Sequence, residues 1–96
     1  MAVIDVAGVV NQVLYGDGST AKYTLKVPAE FINQALRLSA GNTSGASPLT
    51  VVSSSPSSSD IEFTGSIGSP SKTVSFSTSL ATGDLVFVEY VPSGAL

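Results

Sequence analysis

The chain contains no histidine, no cysteine and no tryptophan, and only 11% of its 96 residues are charged. Histidine is the commonest general base and metal ligand, and cysteine supplies thiol nucleophiles, disulfides and thiolate ligands for zinc. Without them the chain cannot build a Ser-His-Asp, Cys-His or histidine-zinc site, and its stability must come from the core alone. We therefore expect that the protein is not an enzyme and that it binds no cofactor, no metal ion and no small-molecule substrate.

Positive charge and long apolar runs are also scarce. Four Lys and Arg residues face seven Asp and Glu residues, for a net charge of −3, which is too little positive charge for the phosphate contacts of a nucleic-acid-binding protein. No apolar run approaches the ~20 residues of a membrane-spanning helix. The first residues, Met1–Asp5, lack the basic and apolar regions of a secretory signal. These absences predict no nucleic-acid partner, no membrane partner and no Sec export.

Hydrophobic and hydroxyl side chains take the place of the missing charges. Hydrophobic residues make up 43% of the chain, and Ser and Thr together make up about a quarter. Such a chain can bury a core, and its length predicts one domain over residues 1–96. A surface with few charges does little to oppose association, so the composition favours an oligomer or a component of an assembly.

Short apolar alternations separated by Gly, Ser and Pro predict β-strands. The predicted strands are 3–6, 9–14, 22–27, 49–52, 61–64, 73–79 and 85–91. We expect an all-β fold, an antiparallel β-sandwich or small barrel of about seven to eight short strands. The sixth of these strands should point Val74 and Phe76 inward. The last is almost continuously apolar, which predicts a central strand covered on both faces.

Residues 29–38 allow two interpretations. In the first, Phe31, Ile32, Ala35 and Leu36 mark a helix that begins just after Pro28. In the second, one short helical turn near residues 29–33 is followed by a strand in which Leu36 and Leu38 point inward on either side of an arginine. The β character of the rest of the chain favours the second interpretation. Both place Phe31 in the core and end the preceding strand at the proline.

Glycine and aspartate mark two tight turns. Gly16, Asp17 and Gly18 precede one alternating strand, and Gly83 and Asp84 precede another. Asp-Gly sequences tolerate positive φ and are strong hairpin signals, so we expect these five residues to shape hairpin tips. The first segment lacks the spacing of a phosphate-binding loop and the ligand pattern of an EF-hand, which argues against a site for either ligand.

The two turns and their strands resemble a β-module of tailed-bacteriophage virion proteins. The resemblance is carried by Tyr15-x-Asp17-Gly18-Ser19-Thr20-x-x-Tyr23-x-Leu25, a proline, a Phe-Ile pair and Leu80-x-x-Gly83-Asp84-x-Val86-x-Val88-x-Tyr90. Similar hairpins and final strands recur in phage tail fibres and in small head or tail components. In such modules the Gly and Asp residues shape turns and carry no catalysis.

Among virion roles, a 96-residue chain with no coiled coil and no repeated shaft resembles a capsid decoration (cement) protein. The resemblance implies a homo-oligomer, with a trimer favoured, that binds the major capsid protein lattice and stabilises the head. It also implies synthesis in the host cytoplasm and a final location on the capsid surface of the virion. The alternative is a tail-fibre or receptor-binding adhesion module.

An apolar N-terminal segment, residues 1–10, is the first candidate for protein contacts. The contacting residues would be Ala2, Val3, Ile4 and Val6. As an arm, the segment would add a strand to the sheet edge of a neighbouring protein. As an ordinary first strand, it would pair within its own sheet. Both alternatives remain open at the level of the sequence.

Tyr15 is the second candidate for contacts, because it is the only tyrosine predicted to lie at a loop. Tyr23 and Tyr90 fall within predicted strands, where packing against the core is the more common role. A module that binds sugars by stacking would therefore depend on Tyr15.

Overall fold

Seven β-strands run through residues 8–93, the part of the chain that the computed structural model describes. Their bounds are β1 Val10–Tyr15, β2 Lys22–Leu38, β3 Ser47–Pro48, β4 Thr50–Val52, β5 Asp60–Phe63, β6 Ser71–Ser75 and β7 Leu85–Pro92. They form one sheet in the order β1-β7-β2-β6-β5-β4, with β3 on β2. The sheet curls into a half-barrel, so the prediction of an all-β fold is confirmed. The pairs are antiparallel except for β4 and β5, which run parallel. The predicted strand at residues 3–6 lies outside the described residues.

The long strand β2 continues through Pro28, where the sequence predicted an end and then a helical turn at residues 29–33. Both predictions are wrong. Between Thr24 and Ala29 the register with β6 shifts, so the proline stands where the ladder is already interrupted and its missing N–H is tolerated. Its carbonyl oxygen accepts a hydrogen bond from the backbone N–H of Ser93 (2.8 Å).

Two β-bulges explain why this part of β2 imitates a helix. The register with β7 shifts between Ala29 and Phe31 and again between Ile32 and Gln34. Each bulge places one extra residue on β2, so the inward positions are three residues apart instead of two. The buried residues are accordingly Ala29, Ile32 and Ala35. A spacing of three is close to the helical period, and only the pairing with β7 distinguishes the two structures.

The core lies on the concave side of the half-barrel. Its buried members are Leu14, Leu25, Ala29, Ile32, Ala35, Ile61, Phe63, Val74, Phe76, Leu80, Val86, Val88 and Tyr90. The predicted inward orientation of Val74 and Phe76 is therefore confirmed. The predicted burial of Phe31 is wrong, because 53% of its surface is exposed. The last strand is central, between β1 and β2, but the prediction that both its faces are covered is also wrong, because Phe87 is 37% exposed.

Neither predicted turn joins the two strands of a hairpin. Strand β1 pairs with β7 and not with β2, and β6 pairs with β2 and β5 and not with β7. The hairpin tips predicted at Gly16–Gly18 and at Gly83–Asp84 are therefore wrong in their pairing. The two turns instead contact each other. The backbone N–H groups of Gly16 and Gly18 donate to the carbonyl oxygens of Asp84 and Leu80, both at 2.8 Å.

Candidate interaction surface

The pairing of β1, β7 and β2 defines an outer face on the convex side of the sheet. Directly opposed residues in an antiparallel pair point to the same side, and successive residues alternate. Because Val86, Val88 and Tyr90 are buried, Leu85 and Phe87 point outward. Their partners on β1 and β2 point outward with them.

One end of this outer face is apolar, and we call it the Phe87 patch. Its members are Val13, Tyr15, Leu36, Leu38, Leu85 and Phe87. Tyr15 is 68% exposed and Phe87 is 37% exposed, while the other members are half-buried. None of these side chains is charged. The sequence predicted that Leu36 and Leu38 point inward around Arg37; the register reverses this, because Arg37 lies opposite the buried Val86.

A polar band borders the Phe87 patch. Asn11 and Gln34 both lie opposite Glu89 on β7. The Glu89 carboxylate accepts a hydrogen bond from the side-chain amide of Asn33 at 3.1 Å. A shallow cavity of about 220 Å³ lies between the band and Phe87. Glu89 is the one acidic group that β7 brings to the outer face.

The opposite end of the outer face is apolar again, and we call it the Phe31 cluster, formed by Phe31, Ile67 and Val91. Phe31 pairs with Val91 across β2 and β7. Ile67 is 75% exposed on the loop after β5. These three side chains and Glu30 line a cavity of about 240 Å³. On its other side, Phe31 borders a cavity of about 520 Å³ that Val51 and other apolar residues also line.

The loop that carries Ile67 is held in place by hydrogen bonds. The backbone N–H of Ser66 donates to the Ser69 carbonyl oxygen and the reverse bond forms as well, both at 2.9 Å. The Glu30 carboxylate accepts from the backbone N–H of Gly68 at 3.0 Å. Gly68 itself has φ of +87°, a conformation that favours glycine. Ile67 is therefore presented to solvent by a defined tight turn.

Asp17 shapes the turn after β1. Its carboxylate accepts the Thr20 hydroxyl at 2.6 Å and the backbone N–H groups of Ser19 and Thr20 at 2.9 and 2.8 Å. The Thr20 hydroxyl, followed by the two backbone N–H groups, lowers the pKa of Asp17 from its ordinary value to about 2. The oxygens that a cation would need are thus engaged locally. Within residues 8–93, no group of three or more acidic side chains is arranged to hold a metal ion.

Gly16 and Gly18 allow the same turn to pack closely against the loop that contains Ala81 and Thr82. A Cβ atom at Gly16 would collide with the Ala81 carbonyl oxygen. Gly18 has φ of +83°. The glycines therefore allow close contact between two loops, which a pattern read along the chain could not reveal.

Asp84 lies in a turn, and its buried carboxylate also binds groups from distant parts of the chain. Only 3% of its surface is exposed. Its carboxylate accepts the backbone N–H of Ala40 at 2.8 Å and Nη2 of Arg37 at 2.7 Å. The Ala40 N–H and then the Arg37 guanidinium lower the pKa of Asp84 below its ordinary value. The neighbouring Gly83 has φ of +92°. The sequence signal for this pair was an arginine between two leucines on a strand, which was assigned to the wrong face.

Gln12 links β1 to the first part of β2, and sequence reasoning missed it. Its side-chain amide donates to the Thr24 carbonyl oxygen at 3.3 Å and accepts from the backbone N–H of Lys26 at 3.0 Å. It thus imitates a peptide group of a neighbouring strand. The same Oε1 accepts the hydroxyl of the buried Tyr90 at 2.9 Å. A glutamine within an apolar strand was the available signal.

The tyrosines occupy three different environments. Tyr90 is buried, as predicted, and Tyr23 packs edge-on against Phe76 with 5.8 Å between ring centroids. Burial raises the pKa of the Tyr23 hydroxyl above its ordinary value, with smaller contributions from Asp17 and Asp84. That hydroxyl donates to the Tyr15 carbonyl oxygen at 3.0 Å. Tyr15 is thus fixed through its backbone while its ring remains exposed.

The other predicted contact residues, Ala2, Val3, Ile4 and Val6, lie outside the described residues. The described part of the chain therefore brings one predicted contact residue, Tyr15, onto the apolar surface. The remaining members of the Phe87 patch and the Phe31 cluster are contributed by strands and by one loop.

Among residues 8–93, no helix has the length and apolar character to cross a membrane. No family model matches this chain, and comparisons with curated proteins and with solved structures also gave no match.

Proposed function

We propose that this chain is a structural virion protein of a tailed bacteriophage, a capsid decoration (cement) protein that binds the major capsid protein lattice. The observation that carries the proposal is the Phe87 patch. It is an uncharged part of the sheet face whose aromatic side chains, Phe87 and Tyr15, are partly exposed. An apolar face of this kind, bordered by a polar band, is typical of a protein interface.

The dimensions of the molecule suit such a role. Its principal extents are 43 × 27 × 19 Å, so it is a flat body with a broad face. A standard interface buries about 800 Å² on each partner, which is roughly 15% of the 5244 Å² accessible surface. A broad face can supply this area. Because the patch is uncharged, binding requires little desolvation of ions.

Location on the virion tests the proposal directly. An antibody against the purified chain, coupled to gold, would be applied to purified particles of the phage that encodes it and viewed by electron microscopy. We expect label over the whole head surface. Label only on the tail would favour an adhesion module, and the absence of label on particles would contradict a virion role.

The Phe87 patch is tested by substitution. Phe87→Asp places a charge at its centre, and we expect this variant to lose binding to heads while keeping its fold. Thr43→Asp adds the same charge on an exposed loop and serves as the matched control. Equal binding of the two variants would show that another surface makes the contact. Light scattering on the same samples would test for the proposed trimer.

The exposed ring of Tyr15 favours one alternative, a tail-fibre or receptor-binding adhesion module. A tyrosine that is 68% exposed beside a turn rich in Ser and Thr offers a sugar both a stacking surface and hydroxyl groups. Under this alternative, the wild-type domain would bind specific glycans on an array and Tyr15→Ala would abolish the signal. Phe87→Asp would leave that signal unchanged.

A further inference from the structure

The half-barrel has a gap between residues 30–34 of β2 and strand β4, and we call this gap the seam. Strand β3 pairs with the end of β2, and the Leu49 N–H that follows it donates to the Ala35 carbonyl oxygen at 2.8 Å. The chain then leaves β2, and Thr50–Val52 pairs with β5 instead. On the same side of β2, pairing resumes at Ala29, with β6. Residues 30–34 therefore have no strand of the described chain on the side away from β7.

A cavity of about 520 Å³ lies at the seam. Ile32 is buried in the core, whereas its neighbour Phe31 is exposed on the outer face, and both line this cavity. Val51 and Val52 are also successive residues of one strand, so their side chains point to opposite sides of the sheet. Both of them line the cavity as well. A cavity that is lined from both sides of two strands lies between their edges, in the plane of the sheet.

The edge of β4 presents unpaired backbone groups to the seam. The N–H of Thr50 donates to the Ser59 carbonyl oxygen, just before β5, at 3.0 Å. The backbone groups of successive strand residues point to opposite edges. The N–H and carbonyl groups of Val51 therefore point away from β5 and into the seam.

The same alternation applies to the edge of β2. The N–H of Ser93, just after β7, donates to the Pro28 carbonyl oxygen, so Val91, two residues earlier, also directs its backbone groups toward β2. Tyr90, between them, directs its own groups toward β1. Ile32 lies opposite Tyr90, so its N–H and carbonyl groups point away from β7 and into the seam. Within the described chain, no backbone hydrogen bond crosses the seam to satisfy them.

An extended peptide suits the seam better than an apolar small molecule does. Unpaired N–H and carbonyl groups on two strand edges require hydrogen-bonding partners, which an extended main chain supplies and an acyl chain does not. The open stretch of β2, residues 30–34, is roughly 17 Å long at the rise of a strand. Among the described residues that line the cavity, Glu30 alone is charged, and the whole chain has a net charge of −3. The peptide should therefore be neutral or basic, with apolar side chains at alternate positions.

We propose that the seam binds an extended, neutral or basic peptide segment of another protein by strand addition. The peptide lies between β4 and β2 and pairs through its main chain with Val51 and Ile32. Its alternate apolar side chains contact Phe31 and Phe63, which line the cavity. The Phe87 patch lies at the other end of the outer face, so both surfaces can be occupied at once. This proposal does not depend on the capsid role.

A peptide array supplies the probe. Synthetic peptides long enough to span residues 30–34 carry Val, Ile, Leu or Phe at alternate positions and Thr or Lys elsewhere. They are immobilised and exposed to the labelled wild-type chain. We expect binding to a subset of them, and several-fold weaker binding when a central Thr is replaced by Asp. No binding to any peptide of the array would overturn the proposal.

Two variants of the protein locate the peptide. Val51 and Val27 both lie on strands and are 40% and 38% exposed, but of the two only Val51 lines the cavity at the seam. We expect Val51→Asp to weaken the affinity for the best peptide of the array several-fold, measured by fluorescence anisotropy. Val27→Asp is the matched control and should bind as the wild type does. Equal affinities of the two variants would overturn the proposal.

Hydrogen exchange on the wild-type chain tests strand pairing and does not require either variant to fold. The amides of Val51 and Ile32 should exchange several-fold more slowly when the peptide is bound. The amide of Thr43, on an exposed loop, is the control and should not change. A peptide N-methylated at alternate residues should bind several-fold more weakly. Binding without protection of Val51, or binding that survives N-methylation, would show contact through side chains alone and would overturn strand addition.

Discussion

The two faces of β7 have similar apolar compositions and very different surroundings. Val86, Val88 and Tyr90 are at most 1% exposed on the concave side. Leu85 and Phe87 on the convex side have no strand of the described chain packed over them, and Phe87 remains 37% exposed. The nearly continuous apolar sequence of β7 thus serves a core on one side and an available surface on the other. An apolar strand sequence alone therefore does not show that both faces of the strand are buried.

The difference arises from the curl of the sheet. On the concave side, buried side chains of β5, β6 and β7 belong to one core cluster, and Gln12 links β1 to β2. The convex side of a curled sheet receives no such cover. The comparison between the faces can therefore be tested by placing the same substitution on each side of one strand.

The largest effect is expected from Val88→Asp on the concave side. Full burial without a partner raises the pKa of a carboxyl group by up to three to five units, which at neutral pH costs up to about 4 kcal/mol. This approaches the roughly 5–15 kcal/mol total stability of a small domain. We expect loss of the cooperative thermal transition in circular dichroism.

Phe87→Asp, one residue earlier, should lower the free energy of unfolding by only about 1 kcal/mol, the central value for point substitutions in general. Its main effect should be on the proposed binding of the Phe87 patch to phage heads, which it should weaken. Similar losses of stability in the two variants would show that the faces are equally buried and would remove the basis for the Phe87 patch.

The next largest effect is expected at the buried pair of Asp84 and Arg37. Asp84→Ala leaves the Ala40 N–H and the guanidinium without their acceptor. Removing one partner of a buried ion pair is costly, and the 25% exposure of the Arg37 side chain moderates the loss. We expect a decrease of about 2–3 kcal/mol in the free energy of unfolding, measured by urea titration. A decrease below about 0.5 kcal/mol would contradict this assignment.

The same pair makes stability depend on pH. The pKa of Asp84 is lowered in the folded state, so its contribution is fully present above the unfolded value of about 3.9. That contribution is lost as the pH falls through the folded pKa. Asp84→Asn should flatten this acid limb of the stability curve. An unchanged limb would assign the pH dependence to other carboxylates.

A smaller effect is expected when the Gln12 bridge is removed. Gln12→Ala leaves the hydroxyl of buried Tyr90 and the backbone groups of Thr24 and Lys26 without this partner. We expect a loss of about 1–3 kcal/mol and faster hydrogen exchange at the Lys26 amide. Gln34→Ala, on the exposed outer face, is the control and should change neither. Adding Tyr90→Phe to Gln12→Ala should reduce the extra loss, because both members of one hydrogen bond are then absent.

The smallest effect is expected at the exposed Asp17 turn. Thr20→Val removes the hydroxyl that contributes most to lowering the Asp17 pKa. The pKa should rise from about 2 toward the ordinary value, which NMR titration of the carboxyl carbon would detect. Asp17→Ala should lower the melting temperature only slightly at pH 7. Its difference from the wild type should disappear as the pH falls through about 2. A Thr20→Val protein with an unchanged pKa would contradict this description of the turn.

Much of the local structure could be predicted from the sequence. The strands fall within a few residues of the apolar alternations, and Val74, Phe76 and Tyr90 are buried as expected. The errors lie in β2 and in pairing. The segment after Pro28 had a helix-like spacing because of two bulges, and bulges are defined only by the partner strand. For the same reason, Phe31 was assigned to the core and Arg37 to the wrong face.

The candidate surface was predicted less well. Tyr15 was recognised because it stands beside a turn, and the Gly and Asp residues were recognised as turn formers. Phe87, Leu36 and Leu38 were missed as surface residues because an apolar strand residue has the same local signal on either face. Asp84 was assigned to a turn, and its distant acceptor role toward Arg37 had no signal at short range.

The sequence by itself determined the class of structure and the chemistry that the chain lacks. Valine, threonine and aromatic alternation favours strands, Gly and Asp favour turns, and the missing His and Cys remove whole classes of site. Only the tertiary structure decided that β1 pairs with β7, that the two turns contact each other and that Phe31 and Phe87 face outward. Local preferences act over a few residues, whereas these choices depend on hydrogen bonds and burial between segments far apart in the chain.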